Sequence, residues 1–177
     1  GSDLLWHTDR LVNERLRLRA QAWPRHALGR TTDIAERQAL TVLPTGFNPR
    51  TVAWAREVRQ QLADADARTL AMAVMAHIRQ NPYVYTLQPG TYGRDAVDEF
   101  WLDRREGFCE HYAAAFVVVM RALGVPARIV TGYQGTDVLA LDGYYAVRQS
   151  HAHAWAEYWL DGQGWQRADP TAAVAPE

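Results

Sequence analysis

The chain has 177 residues, a formal net charge of −1 and a pI near 6.7, so it suits one compact domain and has no bulk attraction for nucleic acid or an anionic membrane. Hydrophobic residues are 48% and charged residues 22%, a globular balance. The longest apolar run, Tyr112 to Met120, is too short to span a bilayer, and Gly1-Ser2 reads as a cloning scar on an excised domain, not as a secretory leader.

Residues 1–20 scatter Leu4, Leu5, Leu11, Leu16 and Leu18 among charges with no single period. Trp23-Pro24 and Gly29 are breaks, and Glu36 to Leu43 reads as a short strand closed by Pro44-Thr45-Gly46. Asn48-Pro49 reads as an N-cap followed by proline at the first helical position, opening a helix to about Ala63. A second helix starts at Asp66 and buries Leu70, Val74 and Ile78, and Asn81-Pro82 ends it. Tyr83 to Thr86 is extended, and Asp95 to Leu102 is a short helix carrying Phe100 and Trp101. Cys109 opens an apolar helix that Gly124-Val125-Pro126 closes.

Strands follow. They are Ala127 to Gly132; Tyr144 to Arg148, entered through Asp142-Gly143; His153 to Leu160; and, after Asp161-Gly162, Trp165 to Ala168. Helices first and antiparallel strands later define an α+β domain. Residues 1–47 read as an N-terminal extension of mixed structure and 48–177 as the core.

Cys109 is the chain's one cysteine, so the chain holds no internal disulfide. A lone cysteine is more often an inert core residue than a nucleophile. Its place on the first turn of a helix changes that weighting, because the helix dipole and unpaired N–H groups there favour thiolate. Downstream, His153 begins one strand and Asp169 ends the next, with Asp161-Gly162 between them. In an antiparallel pair the start of one strand lies beside the end of its neighbour, so the two can meet at one end of the sheet. Cysteine, histidine and aspartate then supply nucleophile, base and orienting group, with the Cys109 N–H as an oxyanion donor. His151 shares strand parity with His153, and an His-x-His pair with Asp169 is an alternative metal site. A domain that binds without catalysing is the alternative of another class.

The segments Arg105-Glu106-Gly107-Phe108-Cys109-Glu110-His111-Tyr112-Ala113, Arg121 to Arg128, His153-Ala154-Trp155-Ala156-Glu157, and Gly164-Trp165 with Asp169-Pro170-Thr171 resemble the motifs of the transglutaminase-like superfamily. Asp98-Glu99-Phe100-Trp101, Thr131-Gly132-Tyr133 and Gly143-Tyr144-Tyr145 are similar to its bacterial, TgpA-type group. The resemblance implies a papain-like, transglutaminase-core fold with Cys109 as nucleophile, His153 as base and Asp169 as orienter. It implies attack on a protein glutamine, loss of ammonia, and transfer of the acyl group to an amine or to water. A protease or amidase with the same triad is the alternative within that chemistry. It also implies a periplasmic domain of an inner-membrane protein, anchored by segments absent from this chain.

The family's animal members bind the oxyanion with an aromatic side chain, for which Tyr83, Tyr85 and Trp101 are the candidates here, and require calcium. Asp64 and Asp66, or Asp95, Asp98 and Glu99, read as helix starts and not as calcium loops, so no metal and no cofactor are expected.

All 19 basic residues are arginine, and a guanidinium stays protonated and is a poor acyl acceptor. The domain is therefore expected to donate glutamine but to accept no acyl group at an internal site. Peptide mapping by mass spectrometry after long incubation of the active domain alone should find no internal self-isopeptide; one such crosslink would contradict this.

Overall fold

The computed structural model describes residues 9, 11–21, 23, 27–29, 32–137 and 144–174. Gly1-Ser2, Leu4, Leu5, Pro24 and the Asp142-Gly143 turn lie outside them.

Three helices come first: α1 (Ile34–Ala39), α2 (Pro49–Gln61) and α3 (Ala67–Gln80). A two-residue strand, β1 (Val84–Tyr85), pairs in parallel with β2 (Glu106–Gly107). Between them run α4 (Ala96–Asp98) and a π-helical turn, Glu99–Arg104. The long buried helix α5 (Cys109–Ala122) follows. The second half is an antiparallel sheet, β3 (Ala127–Tyr133), β4 (Ala152–Leu160) and β5 (Gly164–Ala168), in the order β3-β4-β5. The fold is thus α+β, with helices on an antiparallel sheet.

Helix α5 is the centre of the core. Tyr112, Ala113, Ala115, Phe116, Val117, Val119 and Met120 are all buried. The helix packs against β4 and β3 on one side and against α2 and α3 on the other. The alternation along β4 supplies the sheet's half of that contact: Ala154, Ala156, Tyr158 and Leu160 are buried. Leu70, Val74 and Ile78 of α3 complete the core. Gly124, in the left-handed region at φ 81°, ends α5 as its position predicts.

Three local expectations are corrected. The stretch from Glu36 to Leu43 is not a strand; its first part lies in α1, and Leu40 to Val42 runs on without ladder pairing. Helix α1 buries no residue, so it has no apolar stripe to reveal it. The Asp33-x-x-Glu36 spacing is the helix-start signal that was there to read. Tyr144 to Arg148 forms no strand either: the Ala146 carbonyl accepts from the Asp137 N–H (2.9 Å), while Tyr144, Tyr145 and Val147 stand exposed. With no face to bury, the period-2 pattern there has nothing to align it.

Third, Asn48 and Pro49 stand at the N-cap and first helical positions as expected, but the Asn48 side chain does not cap α2; the residue sits at φ 50° in the left-handed region. Asp98 caps α2 from a distance, taking the N–H groups of Arg50 (3.0 Å) and Thr51 (2.7 Å). Asn48 Oδ1 in turn accepts from Val97 N–H (3.0 Å), so the two helix starts cap each other. Asp98 is 3% exposed, and its loss would leave the buried Thr51 N–H and the part-buried Arg50 N–H unmet. Asp98→Ala should lower stability by about 2 kcal/mol in urea unfolding. A loss within about 0.5 kcal/mol, the range of an ordinary surface change, would contradict the cap.

Candidate active site

Cys109 is the first residue of α5, partly buried. The preceding N-cap residue is Phe108, which offers no side-chain acceptor to the first turn. The N–H of Tyr112 turns back to the Phe108 carbonyl, and so does that of His111. A serine or aspartate at that position could cap the Glu110 or His111 N–H with its side chain, which phenylalanine cannot. Gly107 lets the chain enter α5 at close quarters: a Cβ there would lie 2.8 Å from His111 Cβ and 3.0 Å from the Phe100 ring.

His153 is the second residue of β4, and Asp169 follows the last residue of β5. The antiparallel register brings them together, with Nε2 of His153 2.8 Å from Oδ2 of Asp169. The Thr171 hydroxyl donates to Oδ1 at 2.6 Å. Arg167 reaches Oδ2 at 3.5 Å while its guanidinium lies over the Trp155 ring at 4.2 Å. Trp155 also stacks near the His153 ring, with centroids 6.3 Å apart. Gly132, paired with His153, makes room for this tryptophan: a Cβ there would meet Trp155 at 2.9 Å. Thr171 and Arg167 are partners the sequence reading did not single out. The short Asp-Pro-Thr spacing was the signal for the first.

Of the three aromatic candidates, Tyr85 is the one near the thiol. Burial raises the pKa of its phenol, and the neighbouring Cys109 thiol and Asp169 carboxylate push the same way, against the pull of the Cys109 N–H. Tyr85 is 40% exposed and stacks on Tyr112, one turn past Cys109. Of the other aromatic candidates, Tyr83 donates its hydroxyl to the Trp101 carbonyl (2.7 Å) within the core, and Trp101 is fully buried.

His151 lies apart from His153, in a 3-10 turn before β4. Its Nδ1 accepts from the Arg148 N–H (3.0 Å), and its Nε2 faces Asp137 at 3.8 Å. Among the described residues, no cluster of three or more His, Cys, Asp or Glu side chains could hold a metal ion. Of the acidic groups considered for calcium, Asp66 accepts from the Thr69 N–H (2.8 Å) to cap α3, Asp98 caps α2, and Glu99 accepts from the Gly93 N–H (2.9 Å). Among the described residues, no helix is long and apolar enough to cross a membrane.

Residues 52–170 match the family model of the transglutaminase-like superfamily, and the chain belongs to that superfamily. The protein-glutamine gamma-glutamyltransferase of Pseudomonas aeruginosa is 44% identical over 166 residues, which are 94% of this chain and 25% of that protein. The crystal structure of the periplasmic domain of TgpA from Pseudomonas aeruginosa matches with a TM-score of 0.82 at 44% identity, over 88% of this chain and 55% of that one. Protein-glutamine gamma-glutamyltransferase 2 of Gallus gallus is 35% identical over 86 residues, 37% of this chain and 12% of that protein. The chain thus spans a quarter of the Pseudomonas protein and about half of its crystallised domain.

Burial would raise the pKa of Asp169, but the hydrogen bonds from Thr171 and His153 outweigh it and hold the carboxyl below its ordinary value. A depressed folded value stabilises the fold above the unfolded value, about 3.9, and that contribution fades as pH falls through the folded value. Asp169→Ala should therefore be less stable than the wild type at pH 7, and the gap should close toward pH 2 in urea unfolding. A gap of constant size would contradict this assignment.

Proposed function

We propose that this chain is the catalytic domain of a protein-glutamine gamma-glutamyltransferase acting through Cys109, His153 and Asp169. The observation that carries the reading is the 2.8 Å bond between His153 and Asp169, at the end of the sheet on which the Cys109 helix packs. Asp169 holds the His153 N–H at Nε2, leaving Nδ1 as the proton acceptor for the Cys109 thiol. The thiolate attacks the γ-carboxamide carbon of a protein glutamine and forms a C–S bond. Negative charge gathers on the carboxamide oxygen, and the Cys109 N–H and the Tyr85 hydroxyl take it. His153 returns the proton to the leaving nitrogen, the C–N bond breaks, and ammonia departs. An amine then attacks the thioester carbon and gives its proton to His153. The C–S bond breaks, leaving an isopeptide and free thiolate. Water in place of the amine gives glutamate, which is deamidation. No metal or cofactor takes part in this scheme.

Support for glutamine over a peptide bond comes from the 44% identity to the Pseudomonas enzyme. Likeness to the TgpA periplasmic domain supports a periplasmic setting.

Incubation with casein and a labelled primary amine tests the reading. The wild type should incorporate label at casein glutamines, and Cys109→Ala should not. His153→Ala should cost at least about 1,000-fold in rate and His151→Ala much less, and Tyr85→Phe should lower kcat by about 100-fold. Cleaved casein without label would favour a protease. Label incorporation that survives Cys109→Ala would contradict the mechanism.

A further inference from the structure

The open edge of β3 leads into this site. Successive residues of a strand turn their backbone groups to opposite edges. The Trp159 N–H donates to the Pro126 carbonyl (2.9 Å), and the Gln134 N–H to the His151 carbonyl (2.9 Å), so the even-numbered residues of β3 face β4. The Ala127 N–H instead donates outward to the Leu40 carbonyl at 3.1 Å. Ile129, Thr131 and Tyr133 point the same way, and among the described residues no backbone group pairs with theirs. The Leu40 carbonyl, in the turn after α1, thus takes the first outward N–H, and among the described residues nothing takes those beyond it.

Among the described residues, this edge also lacks the usual protection. Proteins guard an exposed edge with lysine, proline, a bulge or an inward charge. The one charged residue of β3, Arg128, is turned to Glu157 (2.8 Å) and lies over the Trp165 ring at 4.2 Å. Ile129 and Tyr133 are 47% and 54% exposed, beside the short side chains of Ala156 and Ala152. A row of unmet backbone groups flanked by apolar side chains at alternate positions suits an extended chain.

We propose that the outer edge of β3, from Ile129 to Tyr133, is an exosite that takes an extended stretch of the glutamine-bearing protein as an added strand. Gly132 pairs with His153, so the Tyr133 end of this edge is the catalytic end. A strand added there lies two strand spacings, about 10 Å, from His153. The docked stretch therefore flanks the reactive glutamine, which enters the site from beyond Tyr133. The inference rests on the acyl-transfer reading for its occupant and on the edge geometry for its place.

Thr131→Pro removes an outward N–H and leaves the bonds between β3 and β4 in place. It should raise KM for casein about tenfold and leave turnover of a blocked glutaminyl-glycine dipeptide unchanged. Ile129→Glu, at an already exposed position, should give the same split if the proline variant folds poorly. In the wild type, hydrogen exchange at the amides of Ile129, Thr131 and Tyr133 should slow when casein is added. Equal losses on both substrates, an unchanged KM for casein, or protection of these amides by self-association without casein would overturn the exosite. Label incorporation into neither substrate by the wild type would contradict acyl transfer instead, and the amide protection would still decide the edge.

Discussion

The burial of α5 along its length is the constraint on which the site rests. Apolar side chains from Tyr112 to Met120 lock the helix between the sheet and the two helices before it. A nucleophile gains from fixed geometry only if its own backbone cannot yield. Because the body of the helix is held, its first turn is held as well, and with it the sulfur and N–H of Cys109. The unusual N-cap, Phe108, then makes chemical sense. Side-chain capping is given up at the turn whose first N–H, that of Cys109, is proposed to take the developing negative charge, and the stability comes from packing further along.

The sheet supplies the rest of the machinery through register. His153 and Asp169 are sixteen residues apart in sequence, and one hairpin between β4 and β5 is enough to bring them to 2.8 Å. Thr171 and Arg167 contact the carboxylate, and Trp155 lies along the imidazole ring. Tyr85 arrives from a two-residue strand whose partner, β2, leads directly into Cys109. The small parallel pair β1-β2 thus acts as a bracket, bringing Tyr85 to the neighbourhood of a thiol that lies two residues beyond the end of β2.

The parts of this arrangement most legible in the sequence are those with strong periods and clear punctuation. Helices α3 and α5 and strands β3, β4 and β5 all stand where hydrophobic spacing, Gly124, Asp161-Gly162 and Asp169-Pro170 put them. The meeting of His153 with Asp169 followed from hairpin geometry alone. What stayed hidden depends on long-range partners. The cap of α2 comes from Asp98, 47 residues away from Thr51, where local reading pointed to Asn48. The π-helical turn at Glu99–Arg104 has no period that sequence spacing can reveal. Helix α1 buries nothing, and the Tyr144 to Arg148 arm has exposed tyrosines, so apolar pattern misleads in both. Tyr85 was one of three aromatic candidates, and only the fold separates it from two that lie in the core.

The account stands on an acyl group carried by the Cys109 sulfur. Rapid quenching of the wild type with excess glutamine peptide and no amine, followed by intact-mass and fragment analysis, measures it directly. The account predicts a transient adduct on Cys109 equal to the peptide less ammonia, which disappears as deamidated peptide forms. Deamidated or crosslinked product forming with Cys109 unmodified at every time, and undiminished in Cys109→Ala, would contradict it.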